Sequence, residues 1–317
     1  MKISVAPLIL AVSGLSLSDC MAQILFSDNF DSDHSANWTV NAGPSDHAAD
    51  FYFDYSTVGI PAAPNSGGTT HGVRLQANQS SGIFGGFSVS PLGQSFAGDY
   101  QLRLDMWLSF NGPAPTGGSG STQIGGVGMG TAGTSAQWPG GAQDSVWFAA
   151  TGDGNSSADY RAYSSAAATG YADASGVFPA GSRNASAVYY AALGGNSAPG
   201  AQLSLFPQQT GATGAGVFGW AWRDVSITKL GNTISWTVDG LLIATVDAST
   251  VTLGGGNILL MYSDTNASSS TDPNDVNLLF GLYDNVVVSV IPEPASGALA
   301  LLGGVVFYLA RRRQKQA

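Results

Sequence analysis

Aspartate provides most of the side chains in this sequence that could bind a metal ion. Asp28, Asp31 and Asp33 lie close together near the N-terminus, and Asp284 lies near the end of the long central region. Calcium takes about six to eight oxygen ligands from carboxylates, amides and backbone carbonyls. If the strands that carry these residues are neighbours, the four carboxylates predict a structural calcium site. The alternative is that each aspartate accepts hydrogen bonds from its own turn.

A second acidic group, formed by Asp153, Asn155 and Asp159, permits the same two interpretations. Neither group matches an EF-hand loop, which ends with a bidentate glutamate. The only glutamate in the chain is Glu293. Calcium therefore remains a possible structural cofactor, and no other cofactor is predicted.

Trp107 is the residue whose position best suits a ligand platform. Apolar and polar residues alternate through 100–110, so Trp107, Arg103 and Asp105 share the outward face of a predicted strand. A flat indole face offers apolar area to a sugar ring, and charged neighbours can bind its hydroxyl groups. We therefore predict a ligand platform at these three residues. The alternative is that Trp107 packs under a loop.

The sequence gives little support for catalysis. Retaining glycan hydrolases place two carboxyl groups about 5 Å apart, and residues 23–291 contain aspartates but no glutamate. His34, His47 and His71 lie in separate predicted loops, where an exposed and functionally silent histidine is the ordinary case. We assign no catalytic residue, and an Asp-based glycan hydrolase or lyase is the alternative.

Short alternating segments predict strands that would position these residues. Asp239-Gly240 separates two such segments, at 233–238 and 241–246, and predicts a hairpin because both turn residues must tolerate positive φ. Glycine-rich stretches predict loops at 113–120, 125–141 and 194–216. Further strands are predicted at 24–30, 50–55, 73–77, 145–150, 225–229, 258–262, 278–282 and 286–290.

Three segments resemble the concanavalin A-like jelly roll of laminin G-type and legume-lectin modules. They are Phe-Ser-Asp-Asn-Phe at 26–30, the hairpin at 233–246, and Tyr-Asp-Asn-Val-Val-Val at 283–288. The resemblance implies an all-β fold, a two-sheet antiparallel jelly-roll sandwich whose first and last strands are neighbours. That fold hosts sugar-binding modules, glycan hydrolases, lyases and adhesive domains, so it does not specify a function.

The charge of the central region excludes one class of partner. Residues 23–291 carry six arginine and lysine residues against nineteen aspartates, a formal charge of −13. Binding to a phosphate backbone depends on clustered lysine and arginine. Nucleic acid is therefore excluded as a partner, whereas cations and neutral ligands are favoured.

The N-terminus predicts export. Lys2 precedes an apolar segment at 3–17, which is typical of a signal peptide, and cleavage after Ala22 would define a signal peptide at 1–22. The alternative is a lipoprotein signal in which Cys20 is lipidated. Under the first interpretation the mature chain has no cysteine and no disulfide.

The C-terminal residues 292–317 resemble the PEP-CTERM sorting signal of bacterial envelope proteins. Pro292, Glu293 and Pro294 precede a short apolar segment at 295–310 that predicts a transmembrane helix, and a basic cluster follows, namely Arg311, Arg312 and Arg313. The resemblance implies anchoring in the inner membrane and then processing by an exosortase, with delivery to the cell surface or extracellular matrix. The alternative is an ordinary single-span anchor.

These features predict an ectodomain at 23–291 with a non-catalytic role. The favoured function is binding of extracellular polysaccharide by a lectin-like domain. The alternatives are the Asp-based glycan enzyme and a purely structural surface protein.

Overall fold

Alternating segments fold into fourteen strands in the described part of the chain. The structure is a computed structural model that describes residues 22–43, 46–77, 85–115, 123–165, 180–264 and 274–291. Ile24–Ile291 form one compact unit. The predicted signal peptide, apart from residue 22, and the predicted sorting tail lie outside the described residues. Within those ranges, no helix is long and apolar enough to cross a membrane.

The larger sheet has eight antiparallel strands, in the order β12-β11-β10-β6-β14-β4-β3, with β1 also paired to β14. The first and last strands are therefore neighbours, as the resemblance implied. The strands are β1 (Ile24–Asp28), β3 (His47–Asp54), β4 (His71–Ala77), β6 (Tyr100–Ser109), β10 (Arg223–Leu230), β11 (Thr233–Val238), β12 (Leu241–Asp247) and β14 (Phe280–Val290).

The smaller sheet has six antiparallel strands, in the order β2-β5-β13-β7-β8-β9. Its strands are β2 (Trp38–Asn41), β5 (Gly85–Pro91), β7 (Gln123–Thr131), β8 (Val146–Thr151), β9 (Tyr160–Tyr163) and β13 (Asn257–Asp264). Short helices connect strands at α1 (Gly200–Leu205) and α2 (Asp275–Leu278), with 3-10 turns at Ser35–Asn37, Tyr55–Val58, Val188–Leu193 and Ala248–Thr250.

The main core lies between the two sheets. Leu102, Leu104 and Trp236 are at most 1% exposed and contribute to it from the larger sheet. Tyr283 crosses this core: its hydroxyl donates to Met261 O at 2.5 Å and accepts from Gly126 N at 3.1 Å. One side chain of β14 thus joins the larger sheet to two strands of the smaller one. The two antiparallel sheets agree with the predicted jelly-roll sandwich.

A second apolar cluster covers the outer face of the larger sheet near one end. It contains Trp107 and Phe280 from the strands, with Tyr55, Ile60 and Trp220 from covering segments. Burial of apolar area stabilises both faces of the sheet at this end. The sequence pattern therefore marks which residues share a face, but not that the outward face is also covered.

The predicted loop at 125–141 is wrong over its first part, because β7 runs from Gln123 to Thr131. A Cβ atom at Gly128 would lie 2.4 Å from Trp147 Cβ, and one at Gly126 would lie 2.3 Å from Phe148 O. Glycine here makes room for the side chains and backbone of β8. The glycines therefore permit close strand packing in β7.

Strands β2, β5 and β9 were not predicted, because they are short or rich in small residues. The two predicted strands at 278–282 and 286–290 form one strand, β14, with an irregularity in its pairing after Asp284. The predicted hairpin is confirmed: Asp239 has φ 50° and Gly240 has φ 78°.

Candidate functional site

A cleft of about 430 Å³ opens where β1, β14 and β6 lie side by side. It combines amide, hydroxyl, carboxylate, imidazole and guanidinium groups with two valine side chains. Its size falls within the range of small-ligand pockets, roughly 300–1,000 Å³. The lining residues are Ser27, Asp28, Asn29, His34, Asn65, Arg103, Leu104, Asn285, Val286 and Val287.

Asp28 fixes the histidine of the cleft. Its side chain is 4% exposed, and Oδ2 accepts a hydrogen bond from Trp38 Nε1 at 2.8 Å. Oδ1 accepts from Phe30 N at 2.9 Å and lies 2.9 Å from His34 Nδ1. An ionised carboxylate only accepts hydrogen bonds, so Nδ1 of His34 carries a proton. In the neutral imidazole, Nε2 is then the hydrogen-bond acceptor.

Asp105 lies beneath the cleft and is 1% exposed. It accepts hydrogen bonds from Asn65 N at 3.0 Å, from Asn65 Nδ2 at 2.8 Å and from Asn285 Nδ2 at 2.9 Å. Asp105 therefore holds two asparagine side chains at the wall of the cleft. Sequence reasoning placed this carboxylate on an outward platform, whereas loop residues cover it.

Asp284 is a second buried carboxylate, with no exposed area. It accepts from Asn285 N at 2.7 Å and from the Tyr55 hydroxyl at 3.1 Å. Burial raises the pKa of Asp284 to about 7, and the negative charges of Asp105 and Asp31 act in the same direction. Burial also raises the pKa of Tyr55.

The four predicted calcium ligands are not assembled as a set. Asp28 and Asp284 accept hydrogen bonds from protein donors, and the exposed Asp33 accepts from Ser35 N at 3.0 Å, which lowers its pKa. Asp31 accepts from an asparagine at one oxygen, while Oδ1 has no partner among the described residues. Those residues contain no group of three or more His, Cys, Asp or Glu side chains placed to hold a metal. Calcium binding itself stays a prediction.

The prediction that Trp107 forms an open ligand platform is wrong. Trp107 is 2% exposed and packs edge to face on Trp222, with the ring centroids 5.8 Å apart. The alternative, burial under a loop, is confirmed. Alternation placed Trp107 on the outward face of β6, but the second apolar cluster covers that face.

Arg103 is the predicted platform residue that lines the cleft. Its side chain is 53% exposed, and it donates from Nε and Nη2 to the two oxygens of Asp224 at 2.7 and 2.9 Å. These hydrogen bonds raise the pKa of Arg103. Of the three predicted residues, one therefore lines the cleft, one supports it from below and one belongs to the apolar cluster.

The second acidic group accepts hydrogen bonds partly from its own turn and partly from other segments. Asp159 accepts hydrogen bonds from Thr151 Oγ1, Ser156 N and Ala185 N. Burial raises the pKa of Asp159, and it raises the pKa of Asp153 to about 6. Both carboxylates lie away from the cleft.

Among the residues of the cleft that sequence reasoning missed are three asparagines and a histidine, namely Asn29, Asn65, Asn285 and His34. Asn29 and Asn285 follow Asp28 and Asp284 on the terminal strands, so the predicted strand pairing was a signal that could have identified them. His34 and Asn65 come from connecting segments. No periodicity in the sequence relates those segments to β6.

No protein-family model matches the chain, and no curated protein matches it. Among solved structures, it is similar to a protein of unknown function with a galectin-like fold from Bacillus subtilis, with a TM-score of 0.40, 11% identity, and coverage of 86% of this chain and 100% of that chain. For the carbohydrate-binding module CBM66 from Bacillus subtilis, the TM-score is 0.38 and the identity 8%, with coverage of 80% of this chain and 95% of that chain. For a β-glucanase from Bacillus licheniformis, the TM-score is 0.40 and the identity 12%, with coverage of 84% of this chain and 98% of that chain. Likeness at this level carries no argument about function, which rests on the geometry of the cleft.

Proposed function

We propose that the domain binds extracellular polysaccharide in the cleft between β1, β14 and β6, without catalysis. The observation that carries this proposal is the cleft itself, which is large enough for a sugar unit and has oriented amides on one wall and Val287 on another. Sugar recognition needs fixed polar groups for hydroxyls beside apolar area for the ring. Because Asp28 and Asp105 hold the polar groups in place, little side-chain entropy is lost on binding.

A glycan array with the full chain tests this function. Ser27 lines the cleft and is exposed, so Ser27→Trp should fill the cleft and abolish binding. Asn232→Trp, in the exposed turn between β10 and β11, is the matched control and should bind normally. If no polysaccharide binds the parent protein, the purely structural alternative replaces this proposal.

The absence of catalysis is part of the proposal. Asp105, Asp284 and Asp159 are at most 2% exposed and accept hydrogen bonds from protein groups. Because these three carboxylates are buried and bound to protein donors, none of them is available to attack a glycosidic bond. A reducing-sugar assay on any polysaccharide that binds should detect no release. Sustained release that Ser27→Trp abolishes would establish the glycan hydrolase instead.

We also propose that the chain is exported and sorted through residues 292–317. The support is the order of Pro292-Glu293-Pro294, apolar segment and Arg311–Arg313 in the sequence. Deleting 292–317 should release the protein from the inner membrane and abolish its display at the cell surface. Unchanged surface display after the deletion would remove exosortase as a partner.

A further inference from the structure

The asparagine side chains of the cleft have a fixed orientation. Asp105 only accepts hydrogen bonds when ionised, so the Nδ2 groups of Asn65 and Asn285 must face it. The two amide oxygens therefore point away from Asp105. Neither oxygen accepts a hydrogen bond from any described residue. Both amides thus offer acceptors to the cleft that they line.

Asn29 extends this array of acceptors. Asn29 donates from Nδ2 to Asp31 Oδ2 at 2.6 Å, and its own Oδ1 receives only a long contact of 3.4 Å from Asp31 N. His34 Nδ1 is held by Asp28, and Nε2 accepts a hydrogen bond only when the ring is neutral. Three asparagines from separate segments therefore present amide oxygens to one cleft.

The charges around the cleft also favour a cationic group that donates hydrogen bonds. Asp28 lines the cleft, and Asp105 lies beneath it, bound to two of the lining asparagines. Arg103 is the guanidinium of the cleft, and its Nε and Nη2 are already engaged by Asp224. A group with several donors, no acceptor and a positive charge matches such an array better than a hydroxyl, which both donates and accepts.

We propose that the cleft selects a sugar unit that carries a free, protonated amino group, such as glucosamine within a polysaccharide. This inference rests on the proposed function, because it names the class of polysaccharide that the cleft takes. The ammonium group donates to the oxygens of Asn65, Asn285 and Asn29, and the ring lies along Val287. The volume of about 430 Å³ fits a sugar unit rather than a bare ion.

The test is calorimetric titration of the full chain with three soluble β-1,4-linked tetramers, made of glucosamine, N-acetylglucosamine or glucose. The titrations use a pH at which the sugar amine is protonated. We expect the glucosamine tetramer to bind at least about tenfold more tightly than the other two, and its affinity to fall as salt increases.

Ser27→Lys tests where the ammonium group binds. It adds a positive charge to the cleft, and the Ser27 side chain makes no hydrogen bond to another described residue that would be lost. The variant should weaken binding of the glucosamine tetramer by at least about tenfold. Ser27→Ala controls for loss of the hydroxyl, and Asn232→Lys adds the same charge in a distant exposed turn. Asn232→Lys should bind within about twofold of the parent. Ser27→Lys is compared with Ser27→Ala, because both variants lack the hydroxyl and only one adds a charge. Circular dichroism and thermal melting verify that each variant is folded.

Each other outcome overturns the inference in a distinguishable way. Equal affinity for the glucosamine and glucose tetramers would remove amine selectivity and leave polysaccharide binding standing. Unchanged binding by Ser27→Lys would place the amine outside the cleft. A response to calcium chloride alone that Ser27→Lys abolishes, without binding of the amine, would make the cleft a metal site. If no tetramer binds, the inference fails, and the glycan array decides the proposed function separately.

Discussion

Replacing Asp284 by asparagine should stabilise the protein at neutral and alkaline pH. Asp284 has no exposed area, and burial raises its pKa to about 7 from the ordinary value of 3.8. The folded state therefore binds this proton more tightly than the unfolded state does. Stability is lost as the pH rises from about 4 to about 7, and the loss is complete above about 7.

The size of this effect follows from the two pKa values. A rise from 3.8 to about 7 corresponds to roughly 4 kcal/mol, at 1.36 kcal/mol per pKa unit. Asparagine has nearly the same shape and keeps an oxygen that can accept from Asn285 N, while its Nδ2 can donate to the Tyr55 hydroxyl. We expect Asp284→Asn to exceed the parent by about 2–4 kcal/mol near pH 8 and to differ little from it near pH 4.

Urea unfolding followed by tryptophan fluorescence, with a chelator present, measures this difference across that pH range. Asp247→Asn is the control, because Asp247 is exposed and its hydrogen bonds to Ser249 lower its pKa. The control should therefore lose stability at neutral pH. If Asp284→Asn were less stable than the parent near pH 8, the carboxylate would be stabilised in its charged form and the reasoning would be refuted.

Three further substitutions test the packing. Tyr283→Phe leaves Met261 O and Gly126 N without the bridging hydroxyl, and should lower the unfolding free energy by about 1–3 kcal/mol in urea titrations; an unchanged midpoint would contradict the inter-sheet bridge. Arg223→Met leaves the carbonyls of Phe218 and Val217 without their donor. It should lower the unfolding free energy by at least about 1–3 kcal/mol, seen as a lower thermal midpoint than the parent's. Trp107→Ala should lower the unfolding free energy by about 3–5 kcal/mol, again seen as a lower thermal midpoint, yet leave the glycan affinity of the folded protein unchanged. A loss of glycan affinity would support the original prediction that Trp107 forms a ligand platform.

The strands with regular alternation could be predicted from sequence. The predicted strand at 100–110 corresponds to β6, which ends at Ser109, and the predicted hairpin at 233–246 has the turn that Asp239-Gly240 requires. The glycine-rich strand β7 could not be predicted in this way. Its glycines matter because neighbouring atoms of β8 leave no room for a side chain, and that contact is absent from the local sequence.

The residues of the cleft likewise divide into those that could be predicted from sequence and those that could not. Asp28 was predicted from sequence as a calcium ligand and Arg103 as a platform residue, and both line the cleft. Asn65 lies 40 residues from Asp105 in the chain, in a segment without periodicity. Its role arises only when the loop folds over the outer face of the sheet. Likewise, His34 looked functionally silent until the structure placed Nδ1 beside Asp28.

The sequence by itself determined the all-β character, the strand faces and the acidic charge of the domain, because these follow from residue type and local spacing. It also carries the predicted export signal and sorting tail. Only the tertiary structure decided that Trp107 is buried, that Asp105 lies beneath the cleft and that three asparagines line it with their Nδ2 groups bound to aspartates. Alternation fixes the direction of a side chain, whereas long-range packing decides what covers it and which donors it meets.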